Sequence, residues 1–146
     1  MAVFRYKLQS ILDIKQKLEE QEKIAFGLAA AKLEEEQEAL QKLLIQKAGY
    51  DRQSRKLVEG TINLIEINAC RKAIEIMKTR IRGQMLEVHK AERQLDQVRQ
   101  RLNEVMIERK TYEKLREKEF EAFQQELLYE EKKEVDELVS YTYHQK

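Results

Sequence analysis

Two histidines, one cysteine and many carboxylates are the side chains in this sequence with the makings of chemistry. A catalytic or metal-binding motif legible in the sequence would show them at characteristic short spacings. They show none. His89 and His144 lie far apart, and neither has a partner at metal-ligand spacing. His89 reads as a surface residue, and His144 falls in a tail expected to fray. Cys70 stands alone, without a CxxC partner, and reads as a small core hydrophobe. The runs Glu34-Glu35-Glu36 and Glu130-Glu131 read as solvated helix faces, and no glycine-rich phosphate loop is present. The expectation is a protein that is not an enzyme, with no cofactor and no metal. A lone cysteine cannot close an internal disulfide, which suits a reducing compartment.

Binding to large polyanions fares no better. Arg71, Lys72, Lys78, Arg80, Arg82, Lys90, Arg93, Arg99 and Arg101 are many cations, but acids are interspersed among them and no base-reading module is visible. No nucleic acid is expected. The most apolar run, IAFGLAAA at 24–31, is too short to cross a bilayer, which takes about 20 helical residues. No stretch pairs a basic face with an uninterrupted apolar one, so no direct membrane insertion is expected. The expected location is cytoplasmic.

What could position side chains in such a chain is a long helix. Of 146 residues, 38% are charged; there are four glycines, no tryptophan and no proline. Nothing forces a helix to stop, since an interior proline would cost about 3 kcal/mol and none exists. Stepping alternately by three and four from Ile67 reads Ile67, Cys70, Ile74, Met77, Ile81, Gln84, Val88, Ala91, Leu95, Val98, Leu102 and Val105. Gln84 is the one amide in that stripe. A spacing that averages 3.5 keeps one seam against a partner helix in a left-handed supercoil.

The first part of the chain repeats the pattern less cleanly. Phe4, Leu8, Ile11, Lys15, Leu18, Glu22 and Ala25 give one phase. Phe26, Ala29, Leu33, Glu36, Leu40, Leu43, Lys47 and Tyr50 give another. The shift near Gly27 predicts local unwinding. Between the two seams GYDRQSRKLVEG, bracketed by Gly49 and Gly60, lacks the pattern, and Asn63 with Glu66 has the spacing of a capping box. The expected fold is all-α: a single coiled-coil domain over 1–146, an antiparallel two-helix hairpin. Helix one is expected at about 4–50, the turn within about 50–62, helix two at about 63–138, and a frayed tail to 146.

Lengths of roughly 70 and 115 Å at 1.5 Å per residue leave the second helix overhanging. A turn centred near residue 55 would set Phe4 opposite about residue 106, where the strict seam fades. The overhang still carries Phe120, Phe123, Leu127, Leu128, Val135, Leu138, Val139, Tyr141 and Tyr143. Beside it would lie the apolar opening, with Phe4, Tyr6, Leu8 and Ile11. Charge divides too: segment 71–118 is net positive, and 119–146 is net negative. An exposed apolar end implies a partner, and a dipolar helix suits steering into a charged cavity. The competing expectation is a local cap, with Phe4 and Tyr6 folded onto helix two.

The opening FRYKLQSILDIK, followed by a heptad hairpin of this length, resembles the flagellar export protein FliJ family. That family's start is loosely Phe-x-aromatic-x-Leu-Gln-x-aliphatic-Leu, matched by Phe4, Tyr6, Leu8, Gln9, Ile11 and Leu12. The resemblance implies a non-enzymatic part of the flagellar type III export apparatus, cytoplasmic and recruited peripherally to the flagellar base. It would enter the ring of the export ATPase, stimulate it, link it to the membrane protein of the export gate, and escort substrate chaperones. By the same mapping Phe4, Tyr6, Leu8, Ile11, Phe120, Phe123 and Leu127 would face the ring, and Leu43 and Tyr50 the gate. The isolated protein is expected to be a monomer. Two alternatives remain: a scaffold coiled coil that self-associates through the overhang, and a central-stalk-like subunit of a rotary ATPase. The second lacks sequence for a globular domain between its helices.

Overall fold

A computed structural model describes residues 2–145 and contains two α-helices, α1 at Gln9–Leu57 and α2 at Leu64–Gln145. They pack against each other as an antiparallel hairpin. The chain falls into two compact units: residues up to Gln21 with those from Asn103 onward, and Glu22–Leu102.

In the Glu22–Leu102 unit the anticipated stripe on α2 is the observed core face. Cys70, Met77, Ile81, Val88, Ala91 and Val98 are buried, and Ile67, Ile74, Gln84, Leu95 and Leu102 are half-buried between them. Opposite them lie Phe26, Ala29, Leu33, Glu36, Leu40, Leu43 and Lys47 of α1. The amide at Gln84 explains itself. Its Nε2 donates to the Glu36 carbonyl at 2.9 Å and also to the Glu36 carboxylate, so a polar group at a seam position is satisfied rather than orphaned. The Cys70 thiol donates to the Tyr50 carbonyl at 3.4 Å, and the Arg99 guanidinium stands 5.9 Å from the Phe26 ring centroid.

The phase shift expected near Gly27 does not occur. Buried and half-buried positions continue backward from Phe26 through Glu22, Glu19, Lys15, Leu12 and Leu8 in unbroken steps of four and three. Hydropathy hid this because charged residues hold seam positions. Glu19 is 6% exposed and bound by Arg109, and Lys15 reaches Glu108 at 2.6 Å. Leu18, given a seam position in the broken phase, is instead 36% exposed.

Boundaries differ from expectation as well. The first helix starts at Gln9 rather than near residue 4, and residues 2–8 run as non-helical chain and turn. It passes through Gly49 and ends at Leu57, so the turn is 58–63. Arg55 and Lys56 sit in its last turn, where cations suit the negative end of the helix dipole. Gly60 reverses the chain at φ +78°, a backbone conformation that costs a residue with a Cβ. Asn63 Oδ1 then accepts the Ile65 and Glu66 N–H groups at 3.0 and 3.4 Å and starts α2. The second helix continues to Gln145, with no break near residue 138.

Candidate partner-binding end

Within the unit made of residues up to Gln21 and from Asn103 onward, the apolar opening lies on α2. The Phe4 ring meets Phe120 edge-on at 5.1 Å between centroids and Phe123 at 5.5 Å. The Arg116 guanidinium sits over the same ring at 5.6 Å, and its Nε donates to Gln9 Oε1 at 3.0 Å. Tyr6 is buried, and its phenol donates to the Tyr112 carbonyl at 2.9 Å. Desolvation, followed by the nearby Glu119 carboxylate, raises the Tyr6 phenol above its ordinary value of 10.0. Leu12 is buried one turn into α1, with Leu8 and Ile11 half-buried beside it.

This geometry corrects the expected alignment of Phe4 with about residue 106. The turn falls nearer residue 60 than 55, which moves every cross-helix pair along α2. Non-helical residues 2–8 also span more length each than helical ones. It further corrects the picture of a wholly uncovered end. The chain's own N-terminal segment caps α2 as far as Phe123, and Ala2 shares a shallow recess with Phe123 and Leu127.

Of the residues anticipated for the ring-facing end, the structure brings together Phe4, Phe120 and Phe123 directly. Tyr6 is turned inward. Phe120 keeps 39% of its surface, and Phe123 and Leu127 are half-buried. Leu43 and Tyr50 belong to the other unit, the first half-buried and the second 37% exposed. Sequence reasoning missed Tyr112 and Arg116 as parts of the cap. The spacing of 112, 116, 120 and 123 along one helix face was the available signal. It also gave no role to the exposed apolar side chains at the turn and the start of α2, Val58, Ile62, Leu64 and Ile65.

His89 faces Glu92 at 3.4 Å on an exposed surface. Among the described residues no group of His, Cys, Asp or Glu is placed to hold a metal ion. No described helix is long and apolar enough to cross a membrane. What the geometry offers is surface: a capped apolar end, and beyond it a helix with no residue from Leu128 to His144 even half-buried.

The two long helices place the chain in the class of all-α coiled-coil hairpins. The family model described as the flagellar FliJ protein matches residues 4–146, and the chain belongs to that family of coiled-coil proteins of flagellar export. No curated protein and no solved structure gives a comparable match.

Proposed function

We propose that this protein is a docking component of flagellar type III export that binds the ring of the export ATPase, stimulates it, and links it to the export gate and to substrate chaperones. The family match over 4–146 carries this reading. The structure supports it with an end on which Phe4, Leu8, Ile11, Phe120, Phe123 and Leu127 are only partly covered. In this reading Tyr6 acts from inside: its bond to Tyr112 holds Phe4 on Phe120 and Phe123. Leu43 and Tyr50 take the gate-facing role.

The test is ATP hydrolysis by the cognate export ATPase with and without the protein. Wild type raises the rate, whereas the Phe120→Gln and Leu127→Gln double variant, with helicity preserved by circular dichroism, raises it several-fold less. Full stimulation by the folded double variant overturns the ring-end assignment. No stimulation by wild type overturns the function.

A further inference from the structure

Every residue from Val58 to Glu66 is exposed where α1 turns into α2. Four of them are large aliphatics: Val58, Ile62, Leu64 and Ile65 keep 61, 60, 70 and 81% of their surface. Gly60 reverses the chain among them at φ +78°. No helix face collects this group. Residues 58–63 are not helical, so the spacing of 58, 62 and 65 makes no helical stripe. Leu64 and Ile65 open α2 as neighbours and point about 100° apart. Packing against a partner helix needs ridges on one regular face. A fluid acyl layer makes no such demand.

The turn has already paired part of its backbone. The Glu59 N–H donates to the Lys56 carbonyl at 3.1 Å, and Asn63 Oδ1 accepts the N–H groups of Ile65 and Glu66. Paired polar groups lose less on leaving water.

Charge selects the occupant. Arg52, Arg55 and Lys56 on α1 and Arg71 and Lys72 on α2 stand behind the aliphatics, all exposed. Residues 47–72 hold six cations and three carboxylates, net +3. A second copy would bring one set of cations against the other. Lipid phosphates would be attracted, and the long Lys and Arg stems can reach them while the aliphatics enter the acyl boundary. Glu59 and Glu66 keep the contact shallow, because a charged carboxylate cannot enter hydrocarbon cheaply.

We infer that the α1–α2 turn is a tip that touches an anionic phospholipid bilayer. Val58, Ile62, Leu64 and Ile65 insert at the headgroup boundary, and Arg52, Arg55, Lys56, Arg71 and Lys72 engage the phosphates. This revises the expectation of no direct membrane insertion, which rested on helices alone; a turn carries no hydrophobic periodicity to find.

The test is flotation of the full chain with vesicles of phosphatidylcholine, with and without phosphatidylglycerol. The anionic vesicles should bind at least about tenfold more tightly, and less as salt rises. Ile62→Gln with Ile65→Gln, and separately Arg71→Gln with Lys72→Gln, should each weaken binding about tenfold. Circular dichroism should show both variants folded, since every altered side chain is exposed. The chain has no tryptophan, so Ile62→Trp gives a single reporter. Its emission should move to the blue on anionic vesicles, whereas that of Ile24→Trp, at a side chain 67% exposed on α1, should not. Absence of binding, equal binding to both vesicles, unchanged binding by either glutamine variant, or equal shifts at 24 and 62 overturns the proposal. So does a dimer in sedimentation that the Ile62→Gln, Ile65→Gln variant abolishes, or binding only to vesicles that carry a membrane protein. No readout involves ATP hydrolysis, so failure here leaves the ring assignment standing.

Discussion

The Arg109 guanidinium grips the Glu19 carboxylate with two nitrogens, across 90 positions of sequence. Its third nitrogen donates to Glu113 at 2.8 Å. These contacts push the arginine above its ordinary value, the Glu19 hydrogen bond first among them. A charged pair thus fills a place where a coiled coil ordinarily sets two aliphatic side chains. Removing one partner strands the other. Glu19→Ala and Arg109→Ala should each lower the thermal midpoint, and the double variant should lose less than the sum. A double-mutant cycle in urea should give a coupling of about 1 kcal/mol. Additive effects would mean that the pair is ornamental.

Burial sets the scale for truncations along α2 and α1. Met77 and Leu12 are 4 and 3% exposed. Met77→Ala and Leu12→Ala should each cost about 2–3 kcal/mol through lost transfer energy and the cavity left behind. Leu138→Ala, on a side chain 66% exposed, should stay within about 0.5 kcal/mol. Urea midpoints at unchanged slope would check the contrast, and equal costs would deny that the core lies where burial places it.

Acid should loosen the seam at Glu36. Hydrogen bonds from Lys32 and then Gln84 hold its carboxyl below the ordinary value of 4.5. A carboxyl lowered in the folded state contributes stability above its unfolded value, and that contribution is lost as pH falls through the folded one. Wild type should therefore lose stability below about pH 4.5 more steeply than Glu36→Gln. Parallel acid limbs in denaturation midpoints would remove Glu36 from the account. Tyr6 behaves oppositely. Its raised phenol contributes stability below 10.0, lost as pH rises through the higher folded value. Tyr6→Phe should flatten the alkaline limb.

Glycines supply a contrast in sign. Gly60 sits at φ +78° in the turn, so Gly60→Ala should destabilise by about 1 kcal/mol. Gly83 lies inside α2, where an added Cβ meets nothing within 4 Å. Gly83→Ala should stabilise by up to about 1 kcal/mol. Thermal melts of the two variants should move in opposite directions.

The legible parts of this molecule were those that aliphatic periodicity writes. From Ile67 to Leu102 each anticipated seam residue lies at least half-buried, because Ile, Val, Leu and Met declare a seam by type alone. Between Leu8 and Glu22 the seam ran through Lys15 and Glu19, whose suitability depends on Glu108 and Arg109 some ninety positions away. No local window contains that information. The cap, anticipated only as the competing expectation, was hard to detail for a different reason. Residues 2–8 are not helical, so Phe4 and Tyr6 follow no 3.5 spacing. Their places are decided by Phe120, Phe123 and Tyr112. The turn was blurred because Gly49 looked like punctuation yet lies within α1.

The polar pairs have a consequence for alignment. Two aliphatic seams can slide by seven residues and find equivalent neighbours. Here a slide would take Glu19 from Arg109 and Glu36 from Gln84, leaving half-desolvated groups with nothing to bind. The helices are thus keyed to a single setting, like the notches of a vernier. That setting fixes which α2 residues the N-terminal segment reaches and which remain available to another molecule.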